Sequence, residues 1–149
     1  MPDEQQVDLI KVLLPYFNEN TQLQDYESLW AFKISDGIAK LDNIPFLAGG
    51  YADDDVIRYE TRNGMNVVIG LEEPSGHSCI QIIFFDTNDT QGYRDKLLSM
   101  GCGSEGGPVP GMIAVDIPPN VDYYSIIRPF LDAKEDDGVL GYREACLGQ

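Results

Sequence analysis

The single histidine, His77, stands two residues before Cys79 in the run SGHSC. An imidazole beside a thiol is the minimal apparatus for a cysteine nucleophile with a general base, and Cys102 offers a second thiol. Such a pair works when a third group orients the imidazole, and the sequence marks no such group. Cys79 also opens an apolar run, where cysteine packs as a small hydrophobe, so His77 is expected to make a turn hydrogen bond at a strand entrance. The glycine-rich segment Gly101 to Gly111 could cradle a phosphate with backbone amides. It has no lysine, however, carries Glu105, and leads through Pro108 and Pro110 into a strand rather than a helix, so it is expected to be a connecting loop. The triplet Asp53-Asp54-Asp55 offers carboxylates to a hard cation, but successive aspartates do not readily share one ion and no EF-hand spacing surrounds them. A solvated turn, or contact with a basic partner, fits the triplet better. Neither a metal nor a cofactor is expected.

A second acidic run, Glu135-Asp136-Asp137, follows a predicted helix end, where negative charge opposes the helix dipole. That favours a use outside folding. Trp30, Tyr51, Tyr59, Tyr123 and Tyr124 include candidate interface anchors, most of them expected in the core. Both acidic runs belong to a wider imbalance of 25 acidic against 10 basic residues, a net charge of -15 in 149 residues. Such a surface repels nucleic acid and anionic membranes and draws basic partners over long range. The expected partner is therefore a basic protein, met by Asp53, Asp54, Asp55, Glu135, Asp136, Asp137 and Trp30.

Hydrophobic content of 43% is that of an ordinary folded domain, so the charge does not signal disorder. A chain of this length buries roughly 70% of its unfolded surface and needs no disulfide or metal staple. The three cysteines form no CxxC pair, which fits reduced thiols in the cytoplasm. Acidic residues interrupt the N-terminal region, so no signal peptide is expected, and no apolar run reaches membrane-spanning length.

The elements that must position these residues fall into two lobes of one domain. In lobe 1–72, Val7 to Leu14 reads as a strand ended by Pro15, and Asn18 to Asp25 as a mobile polar loop. Glu27 to Ser35 alternates, with Leu29, Ala31 and Lys33 opposite Trp30, Phe32 and Ile34. Asp36-Gly37 and Asn63-Gly64 are hairpin turns that return into Ile38 to Ile44 and Met65 to Leu71, with Val56 to Thr61 between. This lobe is a β meander or a small barrel. After the Glu72 to His77 link, lobe 77–149 reads β-α-β-α-β. Its strands are Ser78 to Phe85, Met112 to Ile117 and Val139 to Ala145. Its first helix is Thr90 to Met100, with Tyr93, Leu97 and Leu98 inward. A second helix, capped by Asn120 or Asp122, carries Tyr124, Ile127 and Leu131 on one stripe and is shortened or kinked at Pro129. The fold class is α+β, the second lobe ferredoxin-like, with both helices on one face of a mixed sheet.

The segments ESLWA, DNIPF, DDDVIRYE, GHS, the Met-Gly-Cys helix end, AVDIPP and GYREA, spread from Glu27 to Ala145, resemble a family of small bacterial domains of unknown function. The resemblance implies a fold and assigns no catalytic residue. In size and composition the chain is also similar to immunity proteins that neutralise toxins passed between competing cells. Three functions are therefore open: an immunity protein or antitoxin, a small enzyme or ligand-binding domain using His77 with Cys79 or Cys102, and an accessory interaction domain.

Overall fold

The computed structural model describes residues 8–149. Strands β1 (Leu9–Asn18), β2 (Leu23–Ser35), β3 (Ile38–Leu41), β4 (Val56–Arg62) and β5 (Met65–Glu73) form a closed barrel in sequence order. It closes where β1 meets β5 in parallel at Leu13 and Val67. Alternation decides what goes inside. Val12, Leu14, Leu29, Ala31, Ala39, Leu41, Ile57 and Val68 point inward and are buried, and the alanines keep the barrel narrow enough to fill with side chains. At the β4–β5 turn both Asn63 (φ 52°) and Gly64 (φ 80°) take the left-handed conformation that a tight two-residue hairpin demands.

Two expectations for this lobe fail. Pro15 does not end β1, which continues to Asn18 with Pro15 opposite Tyr26. Beyond Leu13 the other side of β1 has no ladder partner, so a residue without an N–H is tolerated there. The polar segment after it is therefore a short turn, and β2 begins at Leu23. Val7, the expected first strand residue, lies outside the described residues.

The second lobe contains β6 (Ser78–Phe84), β7 (Ser104–Gly106), β8 (Met112–Ile117) and β9 (Leu140–Cys146), in the order β7-β8-β6-β9. All neighbours are antiparallel, so the sheet is not mixed as expected. β7 lies within the glycine-rich segment read as loop; a strand held only by backbone pairing needs no apolar pattern to reveal it. Helix α1 (Thr90–Ser99) links β6 to β7, and α2 (Arg128–Asp136) links β8 to β9. Leu97 is buried under α1, whereas Leu98 is 64% exposed, contrary to expectation. A π-helical turn over Tyr123–Ile127 precedes α2, its N-terminus capped by the Asp122 carboxylate accepting from the Ser125 N–H. Pro129 falls in the first turn of α2, the place where its missing N–H costs least.

Both helices lie on one face of the sheet, over Ile80, Ile82, Phe84, Ile113, Val115 and Leu140. The other face meets the barrel through the β3–β4 link, where Ile44 and Ala52 pack on Cys79 and Ala114. Two side chains pin that link from either side. The buried Glu27 carboxylate of β2 accepts hydrogen bonds from the backbone N–H groups of Phe46 (2.6 Å), Leu47 (3.0 Å) and Ala48 (3.0 Å). The Gln81 amide of β6 donates to the carbonyls of Pro45 and Ala48, each at 3.1 Å.

Candidate functional site

The β3–β4 link, the β5–β6 link and the end of β8 converge on one cluster of ionisable groups. Asp55 builds it without being an exposed part of it. Only 3% accessible, its carboxylate accepts from the Ala52 N–H (2.9 Å) and from the Ser75 N–H and hydroxyl, each at 2.8 Å. This ties the two links together. The Ser75 hydroxyl in turn accepts from the His77 N–H at 3.1 Å. His77 is thereby set just before β6, with Nδ1 2.7 Å from Asp116 Oδ1 and Nε2 3.5 Å from Asp54 Oδ2. Asp54 has a φ of 66°, a left-handed conformation that aspartate tolerates better than most side chains, and it also faces Lys40 Nζ at 3.8 Å. Asp53 completes the group, offering an oxygen that lies within 4.8 Å of the His77 and Asp116 donor atoms. A groove of about 350 Å³, lined by Lys40, Asp54, Glu73, Ser75 and His77 among others, gives solvent access to one side.

Burial is the main force on the carboxyls here. It pushes Asp53 up to about 7, with Asp54 and Asp116 adding repulsion and His77 offsetting part of it. Asp116 is raised by burial as well, against the pull of its hydrogen bond to His77. The sign of the stability effect follows. A carboxyl raised above its ordinary 3.8 binds its proton more tightly in the folded state, so stability falls as pH climbs from about 4 and the loss is complete above about 7. Asp53→Asn removes that loss. With EDTA present, the variant is expected to be more stable than the parent at pH 8 by roughly 1–2 kcal/mol, discounted for partial exposure, with the gap closing by pH 4. Urea titrations at the two pH values check this; equal stability at pH 8 would show that Asp53 ionises freely.

The thiols do not join the cluster. Cys79 is fully buried and its Sγ–H donates to the Pro45 carbonyl at 3.2 Å, while the His77 ring is hydrogen-bonded to the Asp116 carboxylate. Burial pushes the Cys79 thiol far up and the Cys102 thiol to about 11, away from the thiolate form. The alternative pairing of His77 with either cysteine is thus not found: His77 precedes the strand rather than sharing its alternation with Cys79.

The acidic residues named from sequence are scattered. Asp55 is consumed internally, Asp53 and Asp54 are half-buried, and Glu135, Asp136 and Asp137 are exposed at the C-terminal end of α2. That run lies on the helical layer, across the sheet from the barrel that carries Trp30. Tyr59 and Tyr123 are buried, Tyr51 is half-buried and Tyr124 exposed. Trp30 is 42% exposed, with Lys11 Nζ 4.7 Å above its ring. Along β2 itself, and on β1 and β5 next in order round the barrel, the outer surface also shows Met65, Ile69, Phe17, Tyr26 and Ile34, exposed by between 45% and 58%.

Barrel, antiparallel sheet and acidic cluster together define an acidic α+β domain. Over residues 27–142 the chain matches the family described as Domain of unknown function (DUF4265), and it belongs to that family. It is also similar to a hypothetical protein from Neisseria gonorrhoeae, known from its crystal structure. That likeness has a TM-score of 0.82 and 23% identity and covers 99% of each chain, which establishes a shared fold alone. The chain matches no curated protein. Among the described residues no helix is long and apolar enough to cross a membrane.

Proposed function

We propose that this chain is a cytoplasmic binding protein of the immunity or antitoxin kind, which neutralises a basic toxin domain by occluding it. The observation that carries the reading is the outer face of the barrel, where aromatic and aliphatic side chains stand exposed on three adjacent strands. Aromatic groups surrounded by polar surface are what interface anchors look like. The occupant is read from charge: a chain at -15 attracts a basic domain from a distance and repels nucleic acid and other acidic proteins. Trp30 is the proposed anchor, with Tyr26 further along the same strand, and Asp54 with the Glu135–Asp137 run supplies long-range attraction. The second lobe is read as ferredoxin-like, supported by the strand order β7-β8-β6-β9 with crossings through α1 and α2.

The test is co-expression with a basic toxin domain, sought first among the reading frames next to this one, followed by binding kinetics on the purified pair. Cells are expected to be protected, and the association rate to fall steeply with added salt. Trp30→Ala is expected to weaken binding by at least about 30-fold, the level of a hot spot, with the melting temperature moved by no more than about 2 °C. Binding without protection would make the chain an accessory interaction domain. An unchanged affinity in Trp30→Ala would remove the barrel face from the reading.

A further inference from the structure

We propose that Asp53, His77 and Asp116 form a binding site for a first-row divalent transition cation, with zinc as the probe. One oxygen of Asp53, one ring nitrogen of His77 and one oxygen of Asp116 lie within 4.8 Å of one another. A tetrahedral ion with bonds of about 2.0–2.2 Å holds its donors about 3.3–3.6 Å apart, so the site forms when the His77–Asp116 pair, 2.7 Å apart, opens slightly and Asp53 takes up the third position. The donors come from three separate segments, and Asp55 and Ser75 already hold two of these in register. Imidazole with carboxylates is a donor set for zinc, cobalt or manganese rather than for calcium, which takes oxygens.

The hydrogen bonds give the cluster a direction. Nδ1 faces Asp116 at 2.7 Å, so the cation takes the place of the proton the pair shares, and that proton leaves to solvent. Nε2 lies 3.5 Å from Asp54 Oδ2, a charge contact that places a carboxylate near the other ring nitrogen, where the outer partner of a metal-binding histidine stands. Charge points the same way. Three carboxylates, from Asp53, Asp54 and Asp116, share the cluster with one imidazole and the more distant Lys40 ammonium, which leaves negative charge in a half-buried place. Three protein donors leave further coordination positions for water.

The experiment is calorimetric titration of the tag-free full chain with zinc chloride at neutral pH, joined to NMR of the imidazole. With one histidine in the chain, a single set of ring signals reports the site. Expected are one zinc per chain, a shift of those signals, and a cobalt(II) complex without a thiolate charge-transfer band. His77→Ala and Asp53→Ala should each weaken binding by about 100-fold or more, and Asp54→Asn by roughly 10-fold, as for an outer partner of a ligand. Glu19→Gln, an exposed acid between β1 and β2, should leave binding unchanged. Circular dichroism of each variant separates lost ligation from lost folding, and the Asp53 variant carries the test if another unfolds. Absence of binding at millimolar zinc, a thiolate band, or undiminished binding in folded His77→Ala would overturn the site.

Discussion

Glu27→Ala is expected to destabilise the protein by about 3–4 kcal/mol, lowering its melting temperature by roughly 6–15 °C. The Glu27 carboxylate is 8% exposed and is the acceptor for three consecutive backbone N–H groups, those of Phe46, Leu47 and Ala48. Bonds to an ionised acceptor are the stronger kind, and alanine leaves the donors to find water inside a packed link. Glu27→Gln keeps one acceptor oxygen but turns an N–H₂ toward at least one donor, so it should fall between the two. Gln81 holds the same link through its carbonyls, so the Glu27→Ala and Gln81→Ala losses should sum to more than the loss in the double variant. Urea titrations of the parent and the four variants check both points. A loss below about 1 kcal/mol in Glu27→Ala would mean that the link is solvated in solution and does not join barrel to sheet.

Glu27 also shows what the sequence could have disclosed. Alternation separates Leu29 and Ala31 from Trp30, and that reading holds in the barrel. Glu27 has the parity of Leu29, so an acid at an inward position of a strand was the signal of a buried acceptor. The His77–Asp116 contact left no comparable mark. It depends on the ladder that sets Cys79 opposite Asp116, and it joins residues 39 positions apart in the chain. The tyrosines illustrate a local failure. A regular helical period groups Tyr124 with Ile127 and Leu131, but the Arg128 N–H bonds back to the Tyr123 carbonyl in a π turn. The wider turn advances the stripe by one residue, so Tyr123 is buried and Tyr124 faces out. Asp53-Asp54-Asp55 failed as a unit because neighbours in a turn point in different directions: one capped a link, one turned to Lys40, and one entered the cluster.

The division of labour within that triplet leads to the second large effect. Asp55→Ala is expected to cost about 2–3 kcal/mol, whereas removing the Asp54 carboxylate should cost under 1 kcal/mol. Asp54 meets His77 only at 3.5 Å, and its ion pair with Lys40, 42% and 46% exposed, is screened by water. Asp55 is 3% exposed and satisfies Ala52 with one oxygen and Ser75 with the other. Asn cannot replace it, since an amide has one acceptor oxygen and must point its N–H₂ at one of two donors. The loss in Asp55→Asn should therefore approach that in Asp55→Ala. Hydrogen exchange locates the effect: the amides of Ala52, Ser75 and His77 should lose protection, while those of Ile80 and Ile82 on the central strand keep theirs. Uniform loss across both lobes would instead mean that the links unfold only with the whole domain. Local loss would make Asp55 the group that presents His77 to Asp116, so that a residue unavailable to any partner still controls the geometry of the cluster.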